Sequence, residues 1–313
     1  MKTVEIRPSA QATDRSVRGR LPKQEPDGEP RVVSMTLRRL AHLLSLVIAA
    51  LMGLVSAAGL IMGAAGMYGD QRAAASIAPA TAGVLVPGFI AHDLLNLMLS
   101  VPILLAATWL GRRGSLTGVL LWPGALFYVL YTYVTYLIGA PFSLLFIPHI
   151  ALVALAAYTT LVVVSSINGG EVRRQFVGRV PARAIGGVLI ALSLLTLGQD
   201  GLGAVTTALN GTPDEPVARH IWTADLAVEV PAMLIAGVLL WRRMALGHGA
   251  APGLLFQFAI TPVALAAILA LQPALTGAPI DGGTIVGLLA FAAVAFAPIA
   301  FFVRAATSRE VMK

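Results

Sequence analysis

Eight stretches of this chain are each apolar for about 20 residues, the length an α-helix needs to cross the hydrocarbon core of a bilayer. They cover about 40–64, 91–111, 116–138, 143–165, 184–208, 223–241, 250–272 and 284–304. Backbone inside hydrocarbon must satisfy its own hydrogen bonds, so such runs predict helices and exclude open sheets. The expected fold class is an all-α polytopic membrane protein with eight transmembrane helices. Composition agrees. Of 313 residues, 57% are hydrophobic and 12% charged, against about 25% charged in a soluble domain. There is no cysteine, which excludes disulfides, thiolate nucleophiles and Cys-ligated metal centres.

The basic residues orient the helices. With the N-terminus set inside, 20 of the 22 Lys and Arg residues fall in inside segments, the exceptions being Arg72 and Arg219. The positive-inside rule therefore predicts that both termini are cytoplasmic. The net charge of +7 then reads as membrane orientation, and no nucleic-acid partner is expected. Residues 1–39 are rich in Pro, Gly and charge and predict a disordered basic cytoplasmic tail, its end from Arg31 to Arg39 facing anionic lipid headgroups. The rest divides into a four-helix unit at 40–165, a basic cytoplasmic linker at 166–183, a second four-helix unit at 184–306 and a short cytoplasmic tail at 307–313.

The second and sixth runs share landmarks. Asp93-Leu94, Pro102, Arg112-Arg113, Leu116 and Pro123-Gly124 recur in order as Asp225-Leu226, Pro231, Arg242-Arg243, Leu246 and Pro252-Gly253. The expectation is a tandem duplication. Four helices per unit is an even number, so the two units would be parallel.

Ionisable residues at membrane depth are costly and are functional-site candidates by default. Asp93, with His92 beside it, lies near the outer end of the second run, and Asp225 and Glu229 share a face near the outer end of the sixth. Asp200 and His149 lie toward the outer ends of the fifth and fourth. On the third run Tyr128, Tyr131, Thr132, Tyr133, Thr135 and Tyr136 form a broad polar face, while Leu130, Val134, Leu137 and Ile138 leave one strip for lipid. The candidate ligand-binding residues are Asp93, Tyr131, Tyr133, His149, Asp225 and Glu229. Glu229 and Asp225 are expected to point into the bundle and share a pocket with the third-run tyrosines.

The sequence has no phosphate-binding glycine loop, no HExxH and no GxSxG. A metal held by His92, His149, Asp225 and Glu229 would have no recognised ligand spacing, so no metal, cofactor or catalytic residue is assigned. Gly59 and Gly63 form a GxxxG packing motif. No discontinuous helix is evident.

The stretch Trp122-Pro123-Gly124-Ala125-Leu126-Phe127, continuing through Tyr131, Tyr133 and Tyr136 to Gly139-Ala140-Pro141-Phe142 and Leu145-Phe146, resembles a segment of uncharacterised multi-pass membrane proteins of prokaryotes. The resemblance implies an architecture and a prokaryotic cell membrane, and it carries no site residue. Three functions stay open. The first is a small-molecule or ion carrier with an acidic, tyrosine-lined site in the outer half of the membrane. The second is an intramembrane enzyme acting on a lipid-soluble substrate at the outer leaflet, and the third a non-catalytic subunit of a membrane complex. Partners reduce to membrane lipids and a small-molecule or cation ligand, and oligomeric state is open.

Overall fold

Helix α1 spans Met35–Ala64 in the computed structural model, which describes residues 35–64, 79–140, 142–210, 216–277 and 279–310. The N-terminal tail through residue 34, for which disorder is expected, and the last three residues lie outside the described residues. The second membrane segment is assembled from α2 (Pro79–Leu95), a π-helical turn (Asn96–Ser100) and α3 (Val101–Arg112). Next come α4 (Leu116–Gly139), α5 (Phe146–Ser166), the short α6 (Gly169–Phe176) and α7 (Ala182–Asn210). The sixth segment repeats the pattern of the second, with α8 (Pro216–Ala224), a π turn (Asp225–Glu229) and α9 (Val230–Trp241), before α10 (Ala245–Thr276) and α11 (Gly282–Glu310). Among the described residues eight helices are long and apolar enough to cross a membrane, and there is no strand. The protein is a multi-pass membrane protein.

The interrupted second and sixth segments are a departure from the sequence expectation, and proline explains them. Pro102 and Pro231 have no N–H to give to the preceding turn, and their rings crowd its carbonyls. The ladder widens there, so that Val101 N–H reaches back five residues to the Asn96 carbonyl and Val230 N–H to that of Asp225. Insertions of this kind are frequent at functional sites.

The same local geometry recurs 129 residues later at several points. Ser115 N–H bonds the Leu110 carbonyl at 3.2 Å, and Met244 N–H bonds that of Leu239 at 2.8 Å. The residue inside each turn is left-handed, Gly114 at φ 81° and Arg243 at φ 56°. A Cβ on Gly118 would lie 2.5 Å from Gly111 N, and one on Gly247 would lie 2.6 Å from the Leu239 carbonyl carbon. Glycine is thus required for α4 to pack on α3 and for α10 to pack on α9. By position in the π turns, Asn96 answers to Asp225 and Ser100 to Glu229, three residues away from the Asp93–Asp225 pairing drawn from the sequence landmarks. The flanking helices differ. Helix α1 packs on α5, whereas α7 lies along α9 and α11 along α10.

Helices α4 and α10 cross at the centre, and α4 is the most enclosed of the eight spans. Leu130, Val134, Leu137 and Ile138 are its least buried positions in the half that carries the tyrosines. Trp122 on α4 donates its indole N–H to Ser45 Oγ of α1 at 2.9 Å. At the N-terminus of α1, Arg38 donates to the carbonyls of Gly111 and Arg112, the last acceptors of α3. The basic linker contains α6, capped where Asn168 Oδ1 accepts from Glu171 N–H at 3.2 Å. Its apolar face, Val172 and Phe176, is fully buried, with the Phe176 ring 5.4 Å from that of Phe302 on α11.

Candidate functional site

Asp225 and Glu229 stand at the two ends of the second π turn, and both side chains are buried. The Tyr131 hydroxyl donates to Asp225 Oδ1 at 2.7 Å, and Gln257 Nε2 donates to Glu229 Oε1 at 3.0 Å. Asp200, carried in from α7, is in hydrogen-bond contact with Asp225, which also contacts Glu229. Three carboxyls from α7 and the π turn thus form one chain, Asp200 to Asp225 to Glu229, that receives the Tyr131 hydroxyl at Asp225 and the Gln257 amide at Glu229. None of the three carboxyls makes an ion pair among the described residues. The inventory is rich in acceptors: Asp200 Oδ2 and the Gln257 carbonyl oxygen are buried without a hydrogen-bond partner.

Asp93 belongs to a second nest. Its side chain is fully buried, and the Tyr136 hydroxyl donates to its Oδ1 at 2.9 Å. The Tyr136 ring packs against Phe89, His92, Tyr133 and His149, with centroids 4.8–5.3 Å away. The Tyr133 hydroxyl lies 3.4 Å from Ser56 Oγ, and His149 Nε2 is buried without a partner. The six candidate residues therefore fall into two groups, Asp225, Glu229 and Tyr131 in one and Asp93, Tyr133 and His149 in the other. Helix geometry is the reason. Two residues apart on α4, Tyr131 and Tyr133 point about 200° apart, so they cannot serve one carboxyl.

Between the two groups lies a half-open cavity of about 230 Å³, bounded by α2, α4, α8 and α10. Leu85, Phe89, Ile221, Leu265 and Ile268 make its apolar walls, and Tyr128, Thr132, Thr135, His220 and Gln272 give it a few polar points. The acids do not line it. They are reached through two wall residues: Tyr131, which bonds Asp225, and Thr261, which accepts from the same Gln257 amide that bonds Glu229. On the other side His92 lines the cavity and packs against Tyr136, the donor to Asp93.

Gln257 was missed by the sequence reading. An amide set well inside the apolar run 250–272, as Gln257 is, was a usable signal, because such a group is stable in hydrocarbon only with a partner. Among the described residues no group of three or more His, Asp or Glu is arranged to hold a metal ion. No known family, curated protein or solved structure matches the chain.

Proposed function

We propose that this protein is a carrier that moves a small, largely apolar solute with a cationic or hydrogen-bond-donating group, coupled to a proton held among Asp200, Asp225 and Glu229. The observation that carries the reading is the pair of interrupted helices beside one cavity. Interrupted segments at corresponding positions of two halves mark the binding site in many transporters, and here the second interruption carries Asp225 and Glu229. An engineered cavity of 150 Å³ accepts benzene. By that scale the 230 Å³ cavity suits a solute of about ten non-hydrogen atoms.

Carboxyls in hydrogen-bond contact with one another need a proton between them or a donor-rich guest. With Tyr131 as the shared wall, a cationic or donating solute held at the Tyr131 oxygen strengthens the hydroxyl's bond to Asp225 and favours the ionised carboxyl, so a proton is exchanged for the solute. A catalytic reading would require a carboxyl within hydrogen-bond reach of the cavity's occupant, and here Tyr131 and Gln257 intervene. The proposal extends to the architecture. The two halves are a tandem parallel duplication in 129-residue register, both termini are cytoplasmic, and the chain sits in the cell membrane of a prokaryote. The recurring turns and glycine contacts of α3, α4, α9 and α10 support the duplication, and the distribution of arginines supports the orientation.

The test uses the full-length protein in liposomes, acidic inside, with a pH-sensitive dye in the lumen. Phenyltrimethylammonium, a permanently charged probe of suitable size, is added outside beside a panel of neutral isosteres. Probe uptake with proton release, lost in Glu229→Gln and Asp225→Asn, is the expected result. If every probe moves as it does in protein-free liposomes, the carrier reading is wrong.

A further inference from the structure

A second concave site lies at the opposite, arginine-rich end of the bundle, in a groove of about 380 Å³ between α1 and α3. Its walls are Leu46, Leu105 and Trp109, each 40–49% exposed, and its mouth carries His42 and Arg112. The groove runs along one face of α3, since Leu105, Trp109 and Arg112 are spaced by four and three. His42 and Arg112 line the mouth, and Arg38 stands beside it, donating to the Arg112 carbonyl. Arg113 lies over the Trp109 ring, 3.6 Å from its centroid, which holds that ring as a wall. No acidic residue lines the groove.

Thr108 supplies an independent observation. It lines the groove, it is 2% exposed, and its hydroxyl has no hydrogen-bond partner. Several hydroxyls in other helices bond back to the carbonyl four residues earlier, as Ser45, Thr160 and Ser193 do at 2.7–2.8 Å, whereas Thr117, Thr132 and Thr159 share the unpartnered state of Thr108. Thr108 lacks that bond, and its hydroxyl is an unpartnered donor buried in the groove wall, one helical turn from Arg112.

We propose that this groove is a binding site for an anionic phospholipid. One acyl chain lies along Leu46 and Leu105, the Thr108 hydroxyl donates to an ester oxygen, and Arg112 bonds the phosphate. The basic mouth selects the anion, and the apolar walls select a lipid over a free anion. The site does not depend on the carrier proposal, because it lies at the other end of the bundle and shares no residue with the acid cluster.

The experiment is native mass spectrometry and thermal unfolding of the full-length protein in neutral detergent, titrated separately with phosphatidylglycerol, phosphatidylcholine and inorganic phosphate. Phosphatidylglycerol should bind about tenfold or more tightly than phosphatidylcholine, because both offer Arg112 a phosphate but the quaternary ammonium of phosphatidylcholine is repelled by the basic mouth. Arg112→Gln should remove that preference. Thr108→Val should weaken binding of both lipids and leave the lipid-free melting temperature unchanged, and Arg179→Gln, at the same end and away from the groove, should change nothing. Equal binding of the two lipids, equal losses in Arg112→Gln and Arg179→Gln, or full protection by phosphate alone would each overturn the proposal.

Discussion

Gly124 and Gly253 meet back to back where α4 crosses α10, so closely that a Cβ on Gly253 would lie 2.8 Å from the Gly124 nitrogen, and one on Gly124 would overlap the Gly253 carbonyl. Without a hydrophobic force between helices in lipid, close backbone approach is what makes such a crossing stable. The cavity and both nests of polar residues surround the half of α4 that follows this crossing.

Gly124→Ala should therefore destabilise the fold by about 3 kcal/mol or more, since the clash is with backbone and no rotamer change relieves it. Gly53→Ala, at a position with nothing within 4 Å of the new methyl group, should be nearly neutral. Thermal unfolding of the two variants in detergent compares them directly, and equal melting temperatures would contradict the crossing.

Arg243 is the only described non-glycine residue with a positive φ, at 56°, in the turn whose counterpart uses Gly114. An L side chain in this region costs on the order of 1 kcal/mol. Arg243→Gly should raise stability by about that amount, and Gly114→Arg should lower it. The same melting experiment reads both signs.

Tyr131→Phe removes the hydroxyl that donates to Asp225. Leaving a buried acceptor without its donor costs about 1–3 kcal/mol. The substitution should both destabilise the protein and uncouple proton release from solute uptake. Tyr133→Phe breaks only a 3.4 Å contact with Ser56 and should spare the coupling. If the two variants behave alike in liposomes, the division of the tyrosines between two nests has no functional meaning.

With no native cysteine, topology can be read by single-cysteine labelling. Ile280→Cys, at a 63% exposed position between α10 and α11, should react with a membrane-impermeant maleimide in intact cells. Arg179→Cys should react only after lysis. The reverse pattern would place both termini outside.

Asp281 precedes α11, where its Oδ1 accepts from Thr284 N–H at 3.1 Å and the Thr284 hydroxyl bonds its other oxygen. These two bonds hold its carboxyl below the usual pKa. A folded-state pKa that is depressed stabilises the folded form above the unfolded value and is lost as pH falls through the folded one. The protection of the Thr284 and Ile285 amides, taken as observed exchange relative to the intrinsic rate at each pH, should thus be high near neutrality and fall on acidification, and Asp281→Asn should flatten that dependence.

The number and length of the helices were legible in the apolar runs because hydrocarbon imposes that length on any spanning helix. The acids were legible for the same reason, since Asp93, Asp225 and Glu229 stand out against an apolar background. The linker helix α6 could have been read from Asn168 and Glu171, which are spaced as a capping pair. The interruptions in the second and sixth segments were not legible: a proline near a helix end is as compatible with a plain kink as with a π turn, and neighbouring helices decide which one forms.

What the sequence alone determined is the fold class, the eight spans and the burden of buried carboxyls, because each follows from the cost of polar groups in lipid. What only the tertiary structure decided is which groups share that burden. The rotation of α4 against its neighbours sends Tyr131 to Asp225 and Tyr136 to Asp93, and the 100° step between successive residues forbids Tyr131 and Tyr133 from serving one site. The crossing at Gly124 and Gly253 brings α10 close to α4. It carries Gln257 to Glu229, a pairing 28 residues apart in the chain that no local periodicity encodes.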